Sequence, residues 1–367
     1  MAQPPLSGLR IVEIAGLGPT PFAAMCLADF GAEVIRVERP GLRHLLGLEV
    51  DILDRSRQHV ALDLKTDVGV ARVRELIARA DGLIEGLRPG VMERLGLGPE
   101  AAATLNPRLV YGRMTGWGQS GPRAPTAGHD INYIALSGAL HAIGPADTPV
   151  VPLNLIGDFG GGGIYLAFGM LAALWDAAKS GRGQVVDAAI TDGTAHLMAM
   201  VYGMAQGGAW TDRRGANVLD GAAPFYGIYR CACGGFVAVG AIEPKFYRDL
   251  VAGLDLAPGA TEDLVARQHD RAAWPAARAT LEAAFAGASR DVWAKHFDGT
   301  DACVAPVLTI AEAYGDAHNA ARGTFETASG IHQPAPAPRL SRTPGRIGAT
   351  GAADIDDILS RWSIPHA

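Results

Sequence analysis

The chain has 367 residues, more than one compact core usually holds, so its length predicts two domains. Charged residues make up 19% of the chain and hydrophobic residues 49%, a globular composition that excludes a disordered protein and a small disulfide scaffold. The net charge of −6 argues against nucleic-acid binding, because that function requires a broad basic surface.

The cysteines and the apolar runs bear on the compartment of the protein. The four cysteines are irregularly spaced and favour neither a disulfide framework nor a zinc cluster, so we expect a reducing, cytoplasmic setting. Residues 1–8 lack a charged leader followed by an apolar signal core, and we expect no secretory segment. The longest apolar run, Phe159 to Trp175, is too short for a membrane span, so we expect a buried helix there.

The first half of the chain alternates short β-branched runs with amphipathic stretches of helical length. This pattern is typical of an α/β fold, in which helices cover the faces of a sheet. The predicted strands are residues 9–15, 33–37, 60–62, 82–85 and 109–114. One helix is predicted from Pro19 through Phe30, a second begins at Asp67, and a short third helix ends at Leu95-Gly96.

The second half predicts a different arrangement. Residues 132–207 are mostly helical, with a strand predicted over 184–190, and residues 208–224 lack periodicity. Residues 225–231 and 236–242 predict a hairpin that turns at Gly234-Gly235, and residues 355–362 predict a last helix. We therefore expect a large domain over 1–190, a linker helix and excursion over 191–224, a smaller α+β domain over 225–320, and a C-terminal segment over 321–367 that returns to the large domain.

The turn after the first predicted strand, Ala15-Gly16-Leu17-Gly18-Pro19, is a candidate nucleotide-binding loop. It lacks the third glycine of the dinucleotide fingerprint, and Pro19 has no backbone N–H to offer a pyrophosphate. We therefore expect a tight turn rather than an NAD site.

Basic residues cluster at the ends of the predicted strands of this acidic chain. In open α/β sheets, ligands lie beyond the carboxyl ends of the strands, where arginine can grip a phosphate with two hydrogen bonds. The alternative is a set of solvated surface charges. The residues concerned are Arg36, Arg39, Arg55, Arg57, Lys65, Arg88 and Arg94.

Three positions combine an acid or a base with a predicted element boundary. His129, followed by Asp130, stands at a predicted helix start, where an imidazole can act as acid or base in a cleft or can simply cap the helix. Asp158 precedes four glycines; it can be a helix cap, or the glycines can let a ligand approach backbone N–H groups that stabilise an anion. Glu243 ends a predicted strand before Pro244 and can face a cleft or begin the next helix. No metal-binding motif is present in the sequence.

Together these segments resemble the family III CoA-transferase superfamily and, within it, the α-methylacyl-CoA racemases of bacterial type. The resemblance covers nearly the whole chain. Its most specific motifs are Glu85-Gly86-Leu87-Arg88-Pro89-Gly90, Gly128-His129-Asp130-Ile131-Asn132-Tyr133, Gly157-Asp158-Phe159-Gly160-Gly161-Gly162, Gly240-Ala241-Ile242-Glu243-Pro244 and Asp301-Ala302-Cys303-Val304.

The resemblance implies a site and a fold. His129 and Asp158 match a catalytic pair, with Glu243 and Asp130 near them. The implied coenzyme A contacts are Arg39, Leu62, Asp63, Leu64, Lys65, Gly86, Leu87, Arg88, Arg94, Gly128, Ile131, Asn132 and Tyr133. The implied fold is a Rossmann-like large domain with a smaller domain in an interlocked homodimer, and coenzyme A is part of the substrate rather than a cofactor. One departure is Asp54-Arg55, where relatives often have Asn-Arg, which puts a phosphate or pantetheine contact there in doubt.

The implied chemistry is inversion of the α-carbon of a 2-methylacyl thioester. A base must remove the proton from one face and an acid must return one to the other, so our hypothesis is that His129 serves one enantiomer and Asp158, with Glu243 in a network, the other. We expect the glycine-rich helix start to stabilise the enolate. Two alternatives are a CoA-transferase in which Asp158 attacks the thioester, and a CoA-binding protein without activity.

Overall fold

The computed structural model describes residues 3–41 and 47–363. The strands are β1 (Arg10–Ile14), β2 (Glu33–Glu38), β3 (Gln58–Ala61), β4 (Gly82–Glu85), β5 (Val110–Thr115), β6 (Val185–Ala189), β7 (Tyr226–Arg230), β8 (Phe236–Gly240), β9 (Val304–Pro306), β10 (Phe325–Ala328), β11 (Ile331–Pro334) and β12 (Gly351–Ala352). The α-helices are α1 (Pro19–Asp29), α2 (Asp67–Ile77), α3 (Val91–Arg94), α4 (Pro99–Leu105), α5 (Asp130–Leu136), α6 (Ala139–Ala142), α7 (Tyr165–Ser180), α8 (Ile190–Leu197), α9 (Ala199–Gln206), α10 (Pro244–Ala252), α11 (Ala260–Ala266), α12 (Trp274–Phe285), α13 (Arg290–Phe297), α14 (Ile310–Gly315), α15 (Ala317–Arg322) and α16 (Ile355–Trp362). A 3₁₀ turn spans Ile52–Asp54, and a π-helix spans Leu155–Ile164.

A seven-stranded sheet forms the centre of the first half. Its strands lie in the order β12-β3-β2-β1-β4-β5-β6, and every neighbouring pair is parallel. The order from β3 to β6 is that of a dinucleotide-binding Rossmann domain. Side chains alternate along β1, so that Val12 packs into one hydrophobic cluster and Ile11 into another, as expected for a sheet covered on both faces. The predicted α/β fold with a Rossmann-like large domain is confirmed.

Contacts divide the chain into two compact units. The first comprises the residues up to Ala139, Pro152–Ala199 and the residues from Gly323 onwards. The second comprises Leu140–Val151 and Met200–Arg322. In the first unit, β12 pairs with β3, and the Trp362 indole nitrogen of α16 donates to a Glu33 carboxylate oxygen at 2.8 Å. These contacts attach the C-terminal segment to the parallel sheet.

The second unit has its own antiparallel sheet, β7-β8-β9, and its own core around Phe225, Tyr229 and Phe285. The predicted hairpin is β7 and β8, joined by a turn through residues 232–235. The third strand, β9, was not predicted, because three residues carry too little pattern to identify a strand.

The apolar run from Phe159 to Trp175 is helical, as predicted, but its burial was predicted wrongly. Phe168 and Trp175 are 69% and 68% exposed, whereas Leu166 and Met170 are fully buried. The helix therefore buries one face against the sheet and exposes large apolar side chains on the other. Within the described part of the chain, Leu155–Ser180 is one stretch whose length and composition would suffice to cross a membrane, a criterion that core helices of soluble proteins also meet.

Three of the basic residues grouped with the strand ends are buried in ion pairs. The Glu13 carboxylate, itself 0% exposed, accepts hydrogen bonds from Arg36 at 2.9 Å and from Arg57. Arg55 pairs with Asp29 at 2.6 Å. The expectation that they could face a phosphate is wrong for Arg36, Arg55 and Arg57, because each guanidinium is committed to a carboxylate inside the fold.

Candidate active site

The residues that follow the parallel strands line two adjoining cavities in the first unit. A cavity of about 600 Å³ lies beyond β1, β2 and β3, and a cavity of about 370 Å³ lies beyond β1, β4, β5 and β6. Ala15 and Leu87 line both. In a sheet of this strand order, the chain reverses direction between β1 and β4, and the crevice left at that point is where ligands of such folds bind.

The larger cavity brings together several predicted coenzyme A contacts. It is lined by Arg39 from the end of β2, by Leu62, Asp63, Leu64 and Lys65 from the loop after β3, and by Leu87. Arg39 and Lys65 are exposed, and within residues 3–41 and 47–363 neither forms an ion pair. Asp63 shapes the loop, since its carboxylate accepts the Lys65 N–H at 3.0 Å. The cavity therefore offers two unpaired cations beside leucine side chains.

The loop after β4 is held in place by a buried carboxylate. Glu85 is 0% exposed and accepts the Leu87 N–H at 2.7 Å and the Arg113 Nε–H at 3.0 Å. Burial raises the pKa of Glu85, and its contacts with the Leu87 N–H and with Arg113 oppose this. Gly86 and Leu87 consequently face the cavities in a fixed conformation. Arg88 and Arg94 are exposed nearby, and Arg88 acts electrostatically on Tyr133.

His129 is the N-cap residue of α5, as its position in the sequence predicted. Its backbone N–H donates to the Asn132 side-chain oxygen at 3.0 Å, and the Asn132 backbone N–H donates to the His129 carbonyl oxygen at 2.8 Å. Asn132 therefore positions the histidine. The Tyr133 hydroxyl donates to the Gly128 carbonyl, and its ring packs edge-to-face on Trp117 with centroids 4.7 Å apart. These contacts fix the loop that carries the imidazole.

Asp158 lies in the first turn of the π-helix, not before a helix as predicted. The cap residue is Asn154, which hydrogen-bonds to the Asp158 carboxylate, and the helix begins at Leu155 rather than within the glycine run. π-Helical segments are rare and are frequently found at functional sites. Asp158 lines the 370 Å³ cavity together with His129, Gly128, Tyr133 and Gly86. The structure thus brings the imidazole and the carboxyl into one cavity.

The pKa of Asp158 is shifted towards neutral pH. Burial, and secondly the nearby Asp130 carboxylate, raise the pKa of Asp158 to about 6, while the Asn154 hydrogen bond and His129 act in the opposite direction. A carboxyl with an ordinary pKa of 3.8 would be protonated in about one molecule in 1,600 at pH 7, whereas one with a pKa of about 6 is protonated in about one in ten. Asp158 can therefore act as an acid as well as a base.

Asp130 contacts the backbone that carries Asp158. Its Oδ1 accepts the Asp158 N–H at 2.6 Å and also a hydrogen bond from the Gly157 backbone. Its Oδ2 is buried and has no hydrogen-bond partner among the described residues. Burial raises the pKa of Asp130, and the two backbone hydrogen bonds lower it. Asp130 thus holds the first turn of the π-helix against the start of α5.

The four glycines serve helix packing rather than approach of a ligand. A Cβ on Gly161 would lie 2.4 Å from the Thr194 hydroxyl oxygen, and one on Gly163 would lie 2.7 Å from the Phe22 ring. Gly161, Gly162 and Gly163 are buried against α1 and α8. The expectation that this run stabilises the enolate is therefore wrong: these residues face protein atoms, and the Asp158 N–H donates to Asp130.

Glu243 belongs to the second unit. It is exposed, it is the N-cap residue of α10, and Pro244 occupies the first helical turn, as the sequence predicted. Burial, and secondly the Glu243 carboxylate in the same unit, raise the pKa of the Cys303 thiol. The catalytic role of Glu243 stays a prediction.

Sequence reasoning missed two contributors to the site: a loop that lines the cavity and a residue that hydrogen-bonds to Asp158. The loop Gly16–Pro19 was predicted only as a tight turn, yet it lines the cavity, and a Cβ on Gly18 would lie 3.0 Å from an Asp158 carboxylate oxygen. The positive φ of Gly18, 60°, is a second reason for glycine at this position. Asn154 was also missed, although an asparagine before an apolar helical run is a recognisable capping signal.

Comparison with known proteins decides the family. A family model described as CoA-transferase family III matches residues 6–351. The chain belongs to CoA-transferase family III. Two relatives of this family III chain are named alpha-methylacyl-CoA racemase: the mouse protein is 48% identical and the human protein 47%, each over 92% of this chain and 87% of the relative. A solved structure of a CAIB/BAIF family protein from Brucella suis superposes with a TM-score of 0.79 at 26% identity, covering 95% of this chain and 97% of that one. The resemblance found from the motifs is confirmed.

Proposed function

We propose that this family III protein interconverts the (2R) and (2S) forms of 2-methylacyl-CoA thioesters. The observation that carries the proposal is the shared cavity of His129 and Asp158, one imidazole and one carboxyl at the carboxyl edge of the sheet. The names of the mouse and human relatives support the same activity.

The reaction is a 1,1-proton transfer. One group removes the α-proton of the thioester, the electron pair of the broken C–H bond delocalises into an enolate, and the second group returns a proton to the opposite face. In one direction, neutral His129 is the base and protonated Asp158 the acid; in the other, the Asp158 carboxylate is the base and protonated His129 the acid. The pKa of about 6 for Asp158 suits this double role, because both protonation states are populated near neutral pH. Glu243 is proposed to complete the network.

Coenzyme A is proposed to occupy the adjoining cavity of about 600 Å³. Arg39 and Lys65, which form no ion pair within the described ranges, are suited to bind its phosphates, and the leucines at 62, 64 and 87 suit its apolar parts. Leu87 lines both cavities, so a ligand that passes it can place a thioester beside His129. No cofactor is required by this scheme, because the thioester itself acidifies the α-proton.

Incubation of one epimer of a 2-methylacyl-CoA in heavy water tests the proposal. We expect α-deuterium incorporation and epimerisation without any added carboxylic acid. His129→Ala should lower the exchange rate by at least about a hundredfold, as is common when an acid or base is removed. His318→Ala, in an exposed histidine of the second unit, is the matched control and should exchange normally. Normal exchange in His129→Ala would overturn the assignment of the base.

The second candidate is CoA transfer, which the family description favours. In that reaction the Asp158 carboxylate attacks the thioester carbonyl, coenzyme A leaves as the thiolate, and an acyl anhydride on Asp158 remains. Formation of product only when a second carboxylic acid is supplied, with no α-deuterium, would identify the protein as a transferase. The homodimer and the cytoplasmic location stay predictions; sedimentation velocity tests the first, and cell fractionation the second.

A further inference from the structure

The second unit contains a cavity of its own, of about 830 Å³. Its wall is mostly apolar, formed by side chains such as Pro145, Leu219, Ile228, Trp274 and Pro275. Ile228 is 63% exposed although it is a large aliphatic residue on a strand. Cavities of this size with apolar walls and a few polar groups are the usual form of small-molecule sites.

Three arginines converge on this cavity: Arg213, Arg271 and Arg278. Among the described residues, none of them forms an ion pair with a carboxylate. The Arg278 guanidinium donates to the carbonyls of Gly221 and Ala223, and Arg271 donates to the Ala209 carbonyl at 3.0 Å. Those carbonyls fix the positions of two guanidinium groups without neutralising their charge.

The acidic residue of the cavity wall only partly offsets this charge. Asp220 accepts the Ala216 N–H at 3.2 Å, the Asn217 N–H at 2.9 Å, the Asn217 side-chain amide at 2.8 Å and the Ala222 N–H at 3.3 Å. Its oxygens are therefore engaged in closing the loop and are not available to the arginines. Three positive charges against one negative charge leave the cavity cationic in a chain whose net charge is −6.

The cavity is also preorganised. Arg214 donates to the Pro145 carbonyl at 3.0 Å and so ties the loop 211–222 to the segment 144–146, which also lines the cavity. The Arg271 guanidinium lies 5.5 Å from the centre of the Trp274 ring, and that of Arg278 lies 5.4 Å from the centre of the Tyr229 ring. Aromatic faces that hold guanidinium groups reduce the ordering that ligand binding would require.

We propose that this cavity binds an amphipathic organic anion, whose carboxylate or phosphate is held by Arg213, Arg271 and Arg278 and whose aliphatic body lies on the apolar wall. A planar guanidinium matches both head groups with paired hydrogen bonds. None of the residues that line this cavity has a role in the proposed racemase reaction, so either proposal can fail without the other.

Calorimetric titration of the full chain with decanoate, decyl phosphate and decanol tests the site. We expect the two anions to bind and neutral decanol to bind at least about tenfold more weakly, since a hydrogen bond to a charged group is worth that much or more. The anion that binds more tightly identifies the preferred head group. Equal binding of decanol would overturn the proposal.

Variants locate the binding. Arg213→Gln and Arg271→Gln should each weaken decanoate binding about tenfold, and Arg230→Gln, an exposed arginine of β7 outside the cavity, should leave it unchanged. Arg213 is exposed and its side chain forms no hydrogen bond with the described residues, so this variant should keep the wild-type unfolding temperature. Wild-type affinity in both cavity variants, or displacement of decanoate by free coenzyme A, would place the anion elsewhere and refute the site.

Discussion

Replacement of Asp158 by asparagine should make the folded protein more stable at neutral pH while abolishing its activity. Asparagine has nearly the same shape as aspartate but cannot ionise, so the change removes a buried charge without creating a cavity. The magnitude follows from the pKa, which burial and the neighbouring Asp130 raise from 3.8 to about 6. That difference is about two pH units, equivalent to about 3 kcal/mol for a fully buried group. Asp158 is only partly buried, so we expect about 1–2 kcal/mol.

The sign can be followed through the titration. The carboxyl binds its proton more tightly in the folded state than in the unfolded state, so folding is favoured by protonation. The full stabilisation of the folded state by this proton is present below about pH 4, where Asp158 is protonated in the folded and the unfolded state, and it is lost as the pH rises through about 6. Above pH 7 the stability of the wild-type protein should therefore fall furthest below that of Asp158→Asn.

Urea unfolding of wild type and Asp158→Asn between pH 4.5 and pH 8 measures this difference. The unfolding free energy of the variant minus that of wild type should grow by about 1–2 kcal/mol across the range. Asp147→Asn, which changes an exposed carboxyl outside both cavities, controls for the loss of a charge. A difference that stays constant with pH, or shrinks as the pH rises, would refute the inference that burial holds this carboxyl near neutral pH.

Three further predictions concern packing, the buried ion pairs and coenzyme A. Gly161→Ala should lower the unfolding free energy by about 1–3 kcal/mol, because its Cβ would overlap Thr194; circular dichroism during urea unfolding measures this, and an unchanged midpoint would contradict the packing. Arg57→Met should lower the unfolding free energy by about 3–5 kcal/mol, because the buried charge of Glu13 loses one of its cationic partners. Adding Glu13→Gln should recover part of this free energy; a double variant that recovers none would exclude the ion pair as the cause. Lys65→Gln should raise the KM for acyl-CoA about fivefold or more with little change in kcat, an effect that should weaken at high salt; a fall in kcat alone would argue against a phosphate contact.

Local patterns in the sequence were sufficient for most of the elements. The strand predicted over residues 82–85 and the helix predicted over 355–362 have the predicted bounds, since each is short, apolar in the right period and limited by turn or capping residues. His129 was correctly placed at a helix start for the same reason. The motifs together also identified the family, which the comparisons confirm.

By itself, then, the sequence determined most of the strands and helices, the family, and the residue types able to move a proton. The tertiary structure alone decided which charges are available: Arg57 is buried against Glu13, 44 residues away, while Lys65 faces a cavity. It also decided the environment of Asp158, whose raised pKa depends on the burial created by the packing of distant segments. The reason is physical: secondary structure follows from interactions between near neighbours in the chain, whereas burial and ion pairing follow from contacts that exist only after the sheet has assembled.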